Sequence, residues 1–143
     1  MAIDCFHNEY SWLSNFYPCD IIFESLFYNT VEEAYVASKT LDIEIRKHIQ
    51  SLHSPSKAKR YGRLIELRLD WNEVKKGIML DLLRQKFKHG TELGNKLVDT
   101  GTIELIEGNT WNDTYWGICN GVGQNNLGKL LMKVRSEINL IQF

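Results

Sequence analysis

A tryptophan-rich loop over residues 107–128 has the composition of a ligand-binding segment. It carries Trp111 and Trp116 with Asp113 between them, and several glycines follow. Indole rings stack on flat ligands, and glycines let backbone N–H groups come close to a ligand. The helix that begins after the loop favours an anion at its N-terminus. The loop therefore predicts a site for a planar group joined to a phosphate. The alternative is a surface loop whose tryptophans cover the core.

A second candidate site lies on a predicted helix that begins at Thr30. Thr30 and Glu33 have the spacing of a capping box, and helical spacing places Glu32, Val36 and Lys39 along one face. A carboxylate and an amine on one helix edge can serve as a general acid/base and as a nucleophile or charge partner. The alternative for Glu32 is structural, because acids stabilise the first turn of a helix through its dipole.

Three smaller groups could contact a substrate. Lys59 and Arg63 are one turn apart and could grip a phosphate, or they could form a solvated charged face. Trp71 opens a helix, where its ring is either a stacking platform or a plug of the core. Asn15 could read a base edge or a ribose with its donor and acceptor groups, with Tyr17 close by. The alternative for Asn15 is a turn residue before a proline.

The composition limits the classes of protein that the chain could belong to. Its 143 residues are 43% hydrophobic and carry a net charge of −1, which favours one domain and gives no global field for long nucleic acid. No apolar run approaches the roughly 20 residues that span a membrane, and the first residues do not form a secretion signal. Cys5, Cys19 and Cys119 show no paired spacing. We therefore expect a cytoplasmic protein without membrane contact, metal or cofactor.

The hydrophobic pattern predicts the elements that position these groups. The predicted strands form a hairpin of 21–24 with 27–29, turning at Ser25-Leu26, and a later strand over 103–107. Helices are predicted from Thr30, over 43–52, over 55–62, from Trp71 to about His89, over 91–99 and from Asn126. The sum is a predominantly helical α+β domain over residues 1–143 with a small hairpin or sheet.

The same pattern predicts which side chains face the core. The first helix should bury Val31, Ala34, Tyr35, Ser38 and Leu41. The helix from Trp71 should bury Val74, Ile78, Leu82 and Phe87. The last helix should bury Leu127, Leu130, Leu131, Val134 and Ile138.

Several segments, taken in order, resemble the NADAR family, which is also called YbiA-like. They are LSNFYP (13–18), TVEEAYVASK (30–39), SPSKAKRYGR (54–63), the W-x-x-x-K-x-x-x-M spacing of Trp71, Lys75 and Met79, DTYWG (113–117) and GQNNLGKLLMKVR (123–135). The resemblance implies a single YbiA-like domain that acts as an N-glycosidase on ADP-ribosyl or phosphoribosyl compounds. Two substrates are implied: ADP-ribosylated guanine, including that in nucleic acid, and a phosphoribosylamino-pyrimidine of the riboflavin pathway. A nucleotide or ADP-ribose reader without turnover is the alternative.

The resemblance also implies roles for individual residues. It places the family's glutamate on Glu32, its aspartate on Asp113, its tryptophan on Trp71 and its helix-ending lysine on Lys39. Glu32 would then be the general acid/base, and Asp113 would stabilise the oxocarbenium ion or orient water. In a second route, the Lys39 amine opens the ribose through a Schiff base.

The remaining predicted residues would bind the substrate. The base would stack on Trp71 or on Trp116 beside Gly117, and Lys59 with Arg63 would hold the phosphate. Two positions depart from the family, which often has His and Gln where this chain has Glu33 and Val36. If that Gln contacts substrate in relatives, Val36 removes the contact.

Overall fold

In the computed structural model, which describes residues 1–141, a run of five α-helices lies between short strands, and a long helix ends the described chain. The strands are β1 (Ala2–Ile3), β2 (Ile21–Phe23), β3 (Leu26–Tyr28), β4 (Glu104–Leu105), β5 (Gly108–Asn109) and β6 (Ile118–Cys119). The helices are a 3-10 helix (Asn8–Leu13) and α1 (Val31–Ser38), α2 (Ile43–Ser51), α3 (Pro55–Gly62), α4 (Trp71–Lys86), α5 (Glu92–Asp99) and α6 (Asn126–Ile141). The predicted class, a mostly helical α+β protein, is confirmed.

The chain divides into two compact units. Residues 15–86 form one unit, which contains β2, β3 and α1 to α4, and the chain before and after this segment forms the other. In the unit of residues 15–86, α1 packs against α2, α3, α4 and both strands of the hairpin. The predicted acid and amine of α1 therefore lie on the central element of their unit.

Cap chemistry predicted the starts of α1 and α3, and the structure confirms both caps. The Thr30 hydroxyl accepts the Glu33 amide at 3.1 Å, and the Ser54 hydroxyl accepts the Lys57 amide at 3.2 Å ahead of a proline in the first turn. The Thr91 hydroxyl likewise accepts the Gly94 amide at 3.1 Å. Each bond satisfies an amide that has no partner inside its helix.

The hairpin turn lies one residue earlier than predicted. Phe23 pairs with Leu26, so the turn residues are Glu24 and Ser25, with φ of 44° and 75°. A two-residue turn with both centres left-handed matches the twist of the strands. The Glu24 carboxylate accepts a 2.6 Å bond from the Arg46 guanidinium, which offsets part of the strain of a turn without glycine.

Three predictions of buried side chains were wrong. Leu41 is 67% exposed because α1 ends at Ser38, so the helical period no longer applies at position 41. Val74 and Ile78 are only half-buried. The buried stripe of α4 is instead Met79, Leu82, Leu83 and Lys86, which have the i, i+3, i+4, i+7 spacing of one helix face.

The other unit joins the chain start to its last helices. β1 pairs in parallel with β4. The strand that was predicted over 103–107 is only two residues long in the structure. α6 packs on α5 and β4 and buries all five side chains predicted for it. Phe87 is buried as predicted and meets the Trp12 ring edge-on, with 6.2 Å between ring centroids. Within residues 1–141, no helix combines the length and apolar character that crossing a bilayer requires.

Candidate active site

Helix α1 is buried along its whole length except at Glu32. The other seven residues of Val31–Ser38 are buried, and the first residue after the helix, Lys39, is again half-exposed. Solvent therefore reaches this helix at its two ends, at a carboxylate and at an amine. Acids that stabilise a helix dipole usually lie on a solvated first turn. Glu32 differs from them, because it is half-exposed on a helix that is otherwise buried.

The Lys39 side chain runs back along α1. Its Nζ lies 5.8 Å from the centroid of the Tyr35 ring, one turn earlier. Helical side chains lean toward the N-terminus, and this direction leads from Lys39 toward Glu32. The Tyr35 ring in turn packs on Trp71, with centroids 5.2 Å apart and planes tilted by 51°. Tyr35 and Trp71 thus form a buried aromatic pair beside the amine.

The surroundings of Lys39 favour the neutral amine. Burial is the main cause that lowers the pKa of Lys39, and the positive charges of Lys59, Arg63 and Lys75 lower it further, whereas the Glu32 carboxylate acts in the opposite direction. Lys59 and Arg63 come from α3 and its C-cap, and Lys75 comes from α4. Packing of α1 on α3 and α4 therefore gathers three cations and one acid about a single amine.

The segment before the hairpin is attached to the first turn of α1. The backbone carbonyl of Asn15 accepts the Glu32 amide at 3.1 Å. The Asn15 side-chain amide donates to the Met79 sulfur at 3.7 Å, and its Oδ1 is buried with no hydrogen-bond partner within residues 1–141. Nearby, the Lys59 ammonium lies 5.8 Å from the centroid of the half-exposed Phe16 ring. Asn15 and Lys59 therefore belong to the surroundings of Glu32 and Lys39, and their contact with substrate stays a prediction.

Tyr17 contacts a buried lysine of its own unit. The Lys86 ammonium lies 5.7 Å from the centroid of the Tyr17 ring. Lys86 is 3% exposed, and its burial lowers its pKa to about 7, against an opposing effect of Cys19. This contact gives Tyr17 a packing role, and its contact with substrate stays a prediction.

In the other unit, the tryptophan-rich loop is organised by Asp113. One oxygen of its carboxylate accepts the amides of Tyr115 at 3.2 Å and Trp116 at 2.9 Å. The Asn109 side chain accepts the Asp113 amide at 3.0 Å and donates to its carbonyl at 2.9 Å. Asp113 thus shapes the segment that holds Trp116, whose ring meets Tyr115 edge-on at 4.8 Å. Its catalytic role stays a prediction.

Gly117 is required by close backbone packing, and Trp111 lies at the surface. A Cβ at position 117 would overlap the backbone and carboxylate of Glu107, so only glycine fits there. Trp111 is 48% exposed. The structure therefore explains the glycine by close backbone packing, and substrate contact at Gly117 stays a prediction.

The two departures from the family pattern both lie inside the protein. Glu33 is 2% exposed, and its carboxylate accepts the Thr30 hydroxyl at 3.0 Å, which completes the cap of α1. Val36 is 1% exposed and faces Gly62 of α3. In this chain both positions therefore serve packing and capping.

Sequence reasoning did not place Tyr35, Gly62 or Lys75 beside the amine. Tyr35 was assigned to the core and Gly62 to the end of a helix, and both descriptions are correct but incomplete. Lys75 was assigned to the same helix face as Trp71, without a connection to Lys39. Within residues 1–141, no three His, Cys, Asp or Glu side chains cluster as metal ligands would.

Comparison with known proteins shows the family to which this chain is similar. The NADAR domain family matches residues 5–139. The chain is 38% identical over 134 residues to the N-glycosidase YbiA of Shigella boydii, covering 92% of this chain and 83% of that protein. It is 33% identical over 144 residues to a riboflavin biosynthesis protein of Vibrio vulnificus, of which it spans 39%. The NMR structure of Escherichia coli YbiA matches 99% of this chain and 86% of that chain, with a TM-score of 0.87 and 34% identity. The predicted YbiA-like fold is therefore confirmed.

Proposed function

The chain belongs to the NADAR domain family, and from that premise we propose that it hydrolyses the N-glycosidic bond of an ADP-ribosyl or phosphoribosyl compound. The N-glycosidase names of its relatives support the reaction class. One observation carries the location of the site: α1 is buried except at Glu32, and the half-exposed Lys39 after it is surrounded by Glu32, Lys59, Arg63 and Lys75. Such a cluster of side chains can bind an anionic sugar phosphate, and its carboxylate and amine can donate or accept a proton beside it.

Cleavage of an N-glycosidic bond separates charge in two places. Positive charge develops on C1′ and the ring oxygen of the ribose, while the departing base gains the electrons of the broken C–N bond. In direct hydrolysis, Glu32 protonates the base or removes a proton from the attacking water, and water supplies the hydroxyl that ends on C1′. Asp113 stabilises the oxocarbenium ion or orients the water.

The second route uses Lys39 as a nucleophile. Its neutral amine bonds to C1′ while the C1′–base bond breaks, and the base leaves with a proton. Ring opening protonates O4′ and gives an imine between Nζ and C1′, which water hydrolyses to the free sugar and the amine. The lowered pKa of Lys39 favours this route, because only the unprotonated amine is a nucleophile.

The remaining predicted residues bind the substrate in this proposal. Lys59 and Arg63 hold a phosphate through charge-assisted hydrogen bonds, and Asn15 and Tyr17 contact the base or ribose. Trp71 or Trp116 stacks on the base, beside Gly117.

The proposal also includes a cytoplasmic location, which is consistent with three cysteines that are free thiols.

A substrate panel tests the function. The protein is incubated with ADP-ribosylated guanosine, with ADP-ribosylated DNA and with a phosphoribosylamino-pyrimidine, and the free base is separated by chromatography. Release of base from any of these supports the proposal and identifies the substrate as a free metabolite or a modified nucleic acid. Tight binding with no base released would instead identify a reader without turnover.

Two variants then assign the chemistry. Glu32→Gln should lose at least about 100-fold in kcat, the lower range for general acid/base catalysis. The exposed Glu66→Gln of the same unit serves as the matched control. Near-wild-type turnover of folded Glu32→Gln would remove Glu32 from the mechanism. Borohydride should trap a covalent adduct that disappears in Lys39→Ala, whereas an active enzyme that gives no adduct uses direct hydrolysis.

A further inference from the structure

Gly62 lies where α1 and α3 approach each other. A Cβ built at this position would be 2.9 Å from one methyl of Val36 and 3.4 Å from the other. The backbone at Gly62 is not left-handed, so its conformation does not require glycine. Glycine in a helix costs about 0.5–1 kcal/mol relative to alanine. Close packing is therefore the reason for a glycine here.

After the two methyls of Val36, the nearest atom to a Cβ at position 62 is Nζ of Lys39. The same Cβ would be 3.5 Å from Lys39 Nζ. Lys59 precedes Gly62 by three positions and Arg63 follows it directly, and both act on the charge of Lys39. Gly62 thus faces the amine from the helix that also supplies two of its neighbouring cations.

An added methyl at this distance from Nζ is ordinary contact for the free amine. A carbon bonded to Nζ on the side of position 62 would come closer to this methyl than Nζ itself does, which places the two carbons well inside van der Waals contact. Glycine places no side chain on that side of the amine.

We propose that Gly62 is a positioning residue for Lys39, and that its missing side chain provides the space in which the amine forms an imine with a sugar aldehyde. The inference rests on the Lys39 route of the proposed function. It distinguishes two tasks of one glycine, which are packing against Val36 and clearance beside the amine.

A pair of substitutions separates the two tasks. Gly62→Ala should destabilise the protein and impair Lys39 together, because its methyl meets both neighbours. Adding Val36→Ala removes both close methyl contacts and leaves only the approach to Nζ. Val36→Ala alone is the matched control for the lost valine. Urea denaturation then shows whether the double variant regains the stability that Gly62→Ala loses.

The probe for the amine is ribose 5-phosphate with cyanoborohydride. The neutral amine of Lys39 condenses with the aldehyde of the open-chain sugar and releases water, and hydride transfer to the imine carbon gives a stable secondary amine. Peptide mass mapping gives the labelling rate at Lys39 relative to the exposed Lys76. This measurement does not depend on glycosidase turnover.

The double variant should label Lys39 at least about 10-fold more slowly than Val36→Ala, since misplacing a reacting group by about 1 Å can cost on the order of 10²-fold. Labelling of Lys76 should not change. Where turnover is detected, kcat should fall with the labelling rate while KM stays within about threefold. Labelling in the double variant equal to that in Val36→Ala would overturn the proposal and leave Gly62 with packing alone. A wild type that labels at Lys39 yet releases no base from the substrate panel would contradict the glycosidase assignment and not the role of Gly62.

Discussion

Replacing Thr30 with alanine should weaken α1 at the end that carries Glu32. The Thr30 hydroxyl accepts the Glu33 amide and donates to the Glu33 carboxylate, and both residues are buried. Loss of the cap costs about 1 kcal/mol. Loss of the donor to a buried carboxylate adds about 1.5–3 kcal/mol, the range for hydrogen bonds to charged groups. The free energy of unfolding should therefore fall by about 2.5–4 kcal/mol.

A second threonine cap provides the matched comparison. Thr91 caps α5 in the same way, but it is exposed and its hydroxyl donates to the backbone carbonyl of Lys88. Thr91→Ala should lower the free energy of unfolding by only about 1 kcal/mol. Thr30→Ser keeps the hydroxyl and should retain most of the stability that Thr30→Ala loses. Urea denaturation followed by circular dichroism measures all three variants.

The difference between the two alanine variants isolates the buried carboxylate. Equal losses for Thr30→Ala and Thr91→Ala would refute the reasoning, because the bond between Thr30 and Glu33 would then contribute nothing beyond an ordinary cap. The turnover of Thr30→Ala, measured well below its unfolding temperature, should also fall by about 10-fold or more, since Glu32 lies on the turn that loses its cap.

Three further predictions concern single charged groups. Asp113→Asn keeps an acceptor for the amides of the loop but removes the charge, so we expect a folded protein whose kcat falls by about 100-fold; wild-type kcat would leave Asp113 with a role in loop structure only. Lys75→Met removes a charge that lowers the pKa of Lys39, so that pKa should rise and the acid limb of borohydride trapping should move to higher pH; an unmoved profile would count against a titrating Lys39 amine. Lys86 has a pKa near 7 in the folded protein and about 10.5 when unfolded, so the unfolded chain binds more protons between these values and wild-type stability should rise with pH there. Relative to Lys86→Met, the gain from pH 7 to 9 should be about 2 kcal/mol by urea denaturation, and parallel pH curves for the two proteins would contradict a buried amine.

The parts of the fold that local chemistry determines could be predicted from the sequence. Thr30 and Ser54 cap helices through bonds to residues three positions away, so the short spacing alone identifies them. The buried face of α6 follows in the same way from a regular apolar period. The wrong predictions have a different cause, since Leu41 lies beyond the end of α1 and the stripe of α4 was assigned to a neighbouring face.

Helical spacing could join only those candidate residues that lie on one helix. Glu32 and Lys39 are two turns apart on α1, so their common face follows from the helical period. Lys59 and Lys75 come to Lys39 through the packing of α3 and α4, which no spacing in the sequence specifies. The contact of Gly62 with Lys39 is the hardest to predict from the sequence, because a glycine at the end of a helix is usually explained by its role in terminating the helix.

The ends of α1 explain why so short a helix can hold two functional groups in place. A helix leaves amides at its start and carbonyls at its end without internal partners, and other elements supply partners here. The Asn15 carbonyl accepts the Glu32 amide, the Arg46 guanidinium donates to the carbonyls of Ala37 at 3.2 Å and Thr40 at 2.8 Å, and the Arg68 amide donates to the Lys39 carbonyl at 2.8 Å. Because the protein itself satisfies these groups, the backbone beside Glu32 and Lys39 does not depend on water for its hydrogen bonds. The motif of α1 alone is therefore insufficient, since the positions of both residues depend on the segments that bind the ends of their helix.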